Sequence, residues 1–315
     1  MKNRKVLITG GAGFIGSHMV EKLQEDNDVT VFDNLSTGKL EFIKNYRINF
    51  IKGDITNLDE LKSSMNGMDL IIHFAANPDV RKGETDTLID LKQNVLGTYN
   101  VLESMRLNDV RDIIFSSSST IYGEALIPTR EDYGPLEPIS FYGASKLAGE
   151  SYISSFSHMF GIRGISFRFA NVIGPRGTHG VIYDFINKLK KNRGELEILG
   201  DGAQSKSYLY IDDCIDGMLY IFEKYEKKYD EFNLGTEQVT NVIDIAHIVV
   251  KAMGLNNVRF KITGGMEGRG WKGDVKTMLL SIDKAKSFGW MPKYTSNEAV
   301  EKTAKHLVEE LSWKY

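Results

Sequence analysis

The chain has 315 residues, 42% hydrophobic and 26% charged, enough to bury the core of one large or two smaller domains. Thirty-nine Lys and Arg against 42 Asp and Glu leave a net charge of −3, so there is no basic excess for nucleic acid. A single cysteine, Cys214, excludes an intrachain disulfide or a thiolate metal cluster, and six scattered histidines offer no local zinc motif.

No apolar run reaches the roughly eighteen residues of a membrane span. The basic start, Met1 to Lys5, is followed by only four residues before glycine, too short an apolar stretch for a signal peptide. A cytoplasmic protein with no membrane and no metal is expected.

In chain order, residues 5–9 read as a strand running into Gly10-Gly11-Ala12-Gly13-Phe14-Ile15-Gly16, then a helix over 14–24. A glycine-rich strand-to-helix turn brings the backbone N–H groups of Gly10, Gly13, Phe14, Ile15 and Gly16 close to a pyrophosphate. A second strand, 29–33, ends in Asp33-Asn34; its carboxylate lies 23 residues after Gly10, placed to accept the ribose hydroxyls of a dinucleotide. A carboxylate there repels a 2′-phosphate, so NAD is expected rather than NADP. The competing reading of Asp33 is a turn-starting residue before Asn34.

Strand 48–52 ends in Gly53-Asp54-Ile55, placed to meet an adenine ring. Strand 70–74 ends in Phe74-Ala75-Ala76, small enough for a cofactor to pass. Taken alone, either could be an ordinary strand end. A helix is expected over 85–106, a strand over 112–117, a helix over 144–159 and a strand over 164–169. Apolar runs such as Leu70-Ile71-Ile72 indicate strands covered on both faces, hence a doubly wound parallel sheet.

The fifth strand ends in Ser116-Ser117-Ser118-Ser119-Thr120-Ile121-Tyr122-Gly123, and ligands of parallel sheets bind beyond such ends. Tyr142-Gly143-Ala144-Ser145-Lys146 puts a phenol and an ammonium on one face of a helix start. A nearby cation favours phenolate, so Tyr142 is the candidate base, well below its free pKa of roughly 10. After Asn171 the elements shorten and glycines cluster.

Gly10-x-x-Gly13-x-x-Gly16, the serine-rich strand and Tyr142-x-x-x-Lys146, in this order, resemble the extended short-chain dehydrogenase/reductase superfamily. Residues 116–123, 138–146 and Arg168-Phe169-Ala170-Asn171 resemble its UDP-glucose (UDP-galactose) 4-epimerase family. The resemblance spans nearly the whole chain. It implies a Rossmann-type doubly wound sheet over 1–171 that binds NAD, and a smaller α/β sugar-nucleotide-binding domain over 172–315. That boundary is soft, because 209–210 and 232–234 read as strands able to return to the large sheet.

By the same resemblance Tyr142 is the base and Lys146 holds the nicotinamide ribose. Ser118, with Thr120 as substitute, bridges the sugar 4-hydroxyl to Tyr142, and Asn94 belongs to the active-site network. Phe169 lies by the nicotinamide and Asn171 at the substrate pyrophosphate. Val181 starts a helix at a phosphate-binding turn, and Lys206 and Tyr208 stand in a substrate stretch. Arg269 clamps the pyrophosphate and Asp274 the uridine ribose. Met278 lines the sugar pocket, where bulky residues restrict the family to glucose and galactose; a buried core methionine is the alternative.

Lys206-Ser207 departs from the family's Arg-Asp, losing the bidentate fork of arginine. The implied reaction is epimerisation at carbon 4 of a UDP-hexose through a 4-keto intermediate. UDP-glucuronate, with Arg176 as the carboxylate's cation, or a UDP-N-acetylhexosamine is the alternative substrate. A 4,6-dehydratase is set aside because Thr120 is followed by Ile121-Tyr122 and not by an acid pair. A homodimer is expected, formed through the helix bearing Tyr142 and the one before it.

Overall fold

Strands that are apolar on both faces are stable only inside a sheet covered by helices, and the chain alternates the two accordingly. The computed structural model describes residues 1–311. Its first half contains β1 (Lys5–Thr9), α1 (Phe14–Leu23), β2 (Asp28–Asp33), β3 (Asn49–Lys52), α2 (Leu58–Ser64), β4 (Leu70–His73), α3 (Gly97–Leu107), β5 (Asp112–Ser118), α4 (Phe141–Phe160) and β6 (Arg163–Phe169). The rest contains β7 (Asn171–Ile173), α5 (Val181–Lys191), β8 (Glu195–Ile198), β9 (Ser205–Lys206), β10 (Tyr208–Tyr210), α6 (Ile211–Lys224) and β11 (Tyr229–Leu234). The last elements are β12 (Thr240–Asn241), α7 (Val242–Ala252), β13 (Arg259–Ile262), β14 (Thr277–Met278), α8 (Asp283–Ser287) and α9 (Ser296–Glu310).

Seven parallel strands form one sheet in the order β11-β6-β5-β4-β1-β2-β3. The order reverses between β1 and β4, so their carboxyl ends open the crevice where ligands of such sheets bind. Met19, Val20 and Leu23 of α1, with Cys214 and Met218 of α6, cover one face. Leu61 of α2, Val101 and Met105 of α3 and Ile153 of α4 cover the other. A separate apolar cluster joins α5, α7 and α9 in the C-terminal domain.

Of the two later segments read as possible sheet strands, 232–234 lies in β11 and pairs with β6. Residues 209–210 lie in β10, which instead pairs with β7 in a two-stranded sheet. The helix expected over 85–106 is shorter: residues 85–88 are irregular, and a π-helical turn, Leu91–Leu96, leads into α3. Leu88, Leu91 and Leu96 are 52%, 55% and 45% exposed. Helix α4 begins three residues before expected, because Ser140 caps it by accepting the Gly143 N–H at 3.0 Å. That cap brings Tyr142 into the first turn.

One buried ion pair ties α4 to the sheet. Arg168 of β6 donates to both carboxylate oxygens of Glu150 on α4, the closest bond 2.7 Å, with each side chain about nineteen-twentieths buried. Ser117 at the end of β5 donates to the same carboxylate at 2.5 Å, and Arg168 also donates to Tyr122. Removing one partner strands the other's charge in the interior, which costs about 3–5 kcal/mol. Glu150→Ala is therefore expected to lower the unfolding free energy by about that much in urea titrations. A change below about 1 kcal/mol would show that the pair does not hold α4 to the sheet.

Candidate active site

The crevice begins at the turn after β1. Gly10 adopts a left-handed φ of 70° and its N–H bonds the Phe32 carbonyl. At Gly16 a Cβ would stand 2.1 Å from the Gly10 carbonyl oxygen, so only glycine lets α1 start this close to the strand. Helix α1 opens on Gly13 with no side chain capping it, which leaves its N–H groups and dipole to face a ligand phosphate.

Asp33, at the end of β2 and 7% exposed, accepts the Ala12 N–H at 3.0 Å and the Leu35 N–H at 2.8 Å. Burial pushes its pKa up, and those two N–H groups oppose the shift. Asn34 donates to Asp54 at 2.9 Å, which joins the β2 and β3 ends at the crevice rim. Ile55 is buried, and a Cβ on Gly97 of α3 would run into it. Phe74, Ala75 and Ala76 follow β4, with the Phe74 N–H bonded to the Thr9 carbonyl. An uncapped helix start, an acid one strand over and small residues across the switch point fit a dinucleotide with free ribose hydroxyls.

The hydroxyls at the end of β5 lie on the same side. Ser118 Oγ accepts both the Thr120 N–H, at 3.2 Å, and the Thr120 hydroxyl, at 2.9 Å, so its own proton is free for a ligand. Helix α4 packs onto the turn after β5: a Cβ on Gly143 would meet the Thr120 carbonyl oxygen at 2.6 Å. The start of α4, which carries Tyr142, therefore lies against the turn that follows Ser118. Lys146, 3% exposed, donates to the Ser116 carbonyl at 2.8 Å, and its Nζ lies 5.6 Å from the Tyr142 ring centroid.

The electrostatics correct one expectation. Lys146 was expected to lower the Tyr142 phenol; instead burial pushes the phenol up, and the Asp90 charge adds to the rise. The ammonium spends its close bond on Ser116 and not on the phenol, so desolvation wins. The same burial lowers Lys146 to about 8, opposed by the charges of Asp90 and Glu150.

Asn94 lies in the π-helical turn, a feature common at functional sites. Its amide donates to Asp90 and to Ser145 of α4, each at 2.9 Å, and its oxygen accepts the Asn77 N–H at 2.7 Å. It clamps the loop after β4 to α4. Phe169 pairs in register with Ser118 and is 6% exposed.

Asn171 of β7 donates to the Ser207 carbonyl at 3.2 Å, and Val181 opens α5 after an uncapped Gly180. Lys206 pairs with Asp274 at 2.5 Å, Gly270 donates to Asp274 at 3.2 Å, and Arg269 pairs with Glu124 at 2.6 Å. Arg269, Asp274 and Lys206 thus form one cluster. Tyr208 of β10 is 7% exposed in the apolar cluster that holds Ile182 and Phe185; burial pushes its phenol up, and the Asp274 charge adds to the rise. Met278 is 8% exposed and packs with Ile121, Tyr122, Ala170 and Leu280, directly behind the serine-rich turn.

Arg176 is engaged within the protein. It donates to Glu21 at 2.5 Å and to the Tyr46 hydroxyl at 2.9 Å, and its N–H bonds Glu310. Asp90, Asn77, Glu150 and Glu124 were not singled out in the sequence. Asp90 lies four residues before Asn94 and Glu150 four after Lys146, so one helical turn from residues already chosen was the available signal. Among the described residues no cluster of metal-ligating side chains exists, and no helix is long and apolar enough to cross a membrane.

A family model described as "NAD dependent epimerase/dehydratase family" matches residues 6–235. UDP-glucose 4-epimerase of Mycolicibacterium smegmatis is 30% identical over 317 residues, covering 95% of this chain and 97% of that protein. A crystal structure of UDP-galactose 4-epimerase shares 42% identity and a TM-score of 0.89, covering 98% of this chain and 99% of the other. A variant of UDP-glucuronic acid 4-epimerase from Bacillus cereus, solved with UDP-4-deoxy-4-fluoro-glucuronic acid and NAD, is 28% identical with a TM-score of 0.87. There the coverage is 98% of this chain and 99% of the other.

Proposed function

Since the chain belongs to the NAD dependent epimerase/dehydratase family, we propose that it interconverts UDP-galactose and UDP-glucose at carbon 4, with NAD as its cofactor. The observation that carries this reading is the convergence of Tyr142, Lys146, Ser118 and Thr120 over the dinucleotide crevice, with no acid pair after Thr120. Ile121 and Tyr122, which follow it, are buried in the core, so no acid stands there to drive elimination of water.

The uncapped start of α1 takes the NAD pyrophosphate, Asp33 the adenosine ribose and Lys146 the nicotinamide ribose. NAD held there would supply the hydride acceptor and donor for carbon 4 and a positive charge that favours phenolate at Tyr142. Tyr142 takes the proton of the 4-hydroxyl, with Ser118 holding that hydroxyl between them. The 4-ketose turns over in the pocket, and Tyr142 gives the proton back to the new hydroxyl. Net redox change is zero, so the cofactor stays bound.

Lys206, Arg269 and Asp274 take the nucleotide end, with Asn171 and the start of α5 at the pyrophosphate. The engagement of Arg176 by Glu21, Tyr46 and Glu310 counts against a uronate. The test is to offer UDP-galactose, UDP-N-acetylglucosamine and UDP-glucuronate separately and to separate the products by anion-exchange chromatography. Fastest conversion of UDP-galactose supports the reading; preference for either other sugar overturns the substrate assignment.

We also propose a homodimer. Tyr152, Met159 and Phe160 of α4 are 42%, 75% and 41% exposed, and Leu96 beside α3 is 45% exposed. These apolar side chains lie on the helix bearing Tyr142 and the one before it, and a second copy would cover them. Sedimentation should give twice the chain mass; a monomer at micromolar concentration would refute it.

A further inference from the structure

Lys146 is an almost fully buried ammonium that forms no ion pair with a carboxylate among the described residues; its bonds go to Ser116. A charge so placed keeps its proton only if negative charge is nearby. Two carboxylates are near enough to act on it, Asp90 and Glu150. Glu150 is already neutralised by the guanidinium of Arg168. Asp90 is not.

Asp90 is 1% exposed. Its Oδ1 accepts from two neutral amides, Asn77 at 3.0 Å and Asn94 at 2.9 Å, and its Oδ2 has no hydrogen-bond partner. An orphaned, buried carboxylate oxygen is costly, and folds rarely keep one without a use. Asn94 connects it through Ser145 to the Tyr142 carbonyl, so Asp90 is fixed relative to the catalytic turn.

We propose that Asp90 is a positioning residue that acts through Lys146: it is the buried counter-charge that keeps Lys146 protonated, and it sets the pH range in which the Tyr142–Lys146 pair works. Its use in turnover rests on the epimerase reading; the charge coupling itself does not. Burial holds Lys146 down at about 8, and the Asp90 carboxylate leads the charges opposing that fall. The same carboxylate pushes Tyr142 up, so its removal lowers both groups together.

The other charged groups around the pair differ by element. On β4, His73 is held neutral by burial, its pKa lowered to about 3. Burial pushes Asp90's own pKa up, the Asn77 and Asn94 amides and the Lys146 charge oppose that, and Asp79 in the loop after β4 adds to the rise. Glu150 of α4 is paired with Arg168 of β6. Lys82, Glu84 and Lys92 on the neighbouring turns are exposed to solvent, which screens them.

The test is the neutral isostere Asp90→Asn, which keeps an oxygen for both amides. In the holoenzyme, the acid and alkaline limbs of the kcat/KM profile should both move to lower pH by about one unit. Asp90→Glu keeps the charge and should leave both limbs in place even if the rate falls. A lower rate with unmoved limbs would mean a merely structural role and would overturn the proposal.

A second readout needs no turnover. In lysine-labelled protein, the NMR titration of the Lys146 side chain, assigned by its loss in Lys146→Met, should show a midpoint about one unit lower in Asp90→Asn. If no UDP-sugar is converted, the epimerase reading fails while this titration still decides the coupling; an unmoved midpoint overturns it. Should the asparagine variant not fold, Asp90→Ser removes the same charge and carries both measurements.

Discussion

Tyr142→Phe should lower UDP-galactose conversion by about 10²- to 10⁴-fold while leaving the fold and the bound cofactor in place. The substitution removes one hydroxyl from a side chain at the crevice, and among the described residues that oxygen takes part in no hydrogen bond. The neighbours cannot replace it. Ser118 and Thr120 are bonded to each other, Lys146 is a cation bonded to Ser116, and Asp90 is buried behind both. Product chromatography with matched cofactor content gives the comparison. A variant within about threefold of the wild type would remove Tyr142 from the proton transfer and leave the mechanism without a base.

Gly16→Ala should abolish cofactor retention. Its Cβ would stand 2.1 Å from the Gly10 carbonyl oxygen and 2.7 Å from Gly11 Cα, and both of these are backbone atoms. No flexible side chain can yield there, so the turn opens and α1 withdraws from the crevice, taking with it the N–H groups that bind phosphate. NAD released by heating the purified protein, measured by chromatography, should fall from near one per chain to below about a tenth, and conversion should fall with it. Full cofactor content in this variant would mean that the pyrophosphate is not held by the start of α1.

Most of the sheet was legible because its signals are local. β1, β2, β4, β5 and β6 are apolar runs bounded by glycine, acid or serine, and each falls within a residue or so of the expected position. The strand-to-helix glycines and the Tyr142-x-x-x-Lys146 spacing likewise express geometry within a few residues. Where the expectations were incomplete, the cause was long-range. The exposed leucines 88, 91 and 96 imitate a helix face, and only the absence of a covering layer reveals the irregular turn and π-helical winding. Whether 209–210 joins the large sheet depends on its pairing with β7, which no local pattern records.

The chemistry of the site shows the same division. The phenol and ammonium were found by spacing, but the sign of the Tyr142 shift depends on burial and on Asp90, a residue 52 positions away. Arg176 looked free because its partners, Glu21, Tyr46 and Glu310, come from opposite ends of the chain.

The central claim is that hydride leaves carbon 4 and returns to it without the cofactor leaving the protein. UDP-galactose carrying deuterium at carbon 4, incubated with the purified protein and no added NAD, tests this most directly. UDP-glucose that retains the deuterium at carbon 4 is the predicted product. No conversion even with NAD supplied, or UDP-glucose that has lost the label, would contradict it.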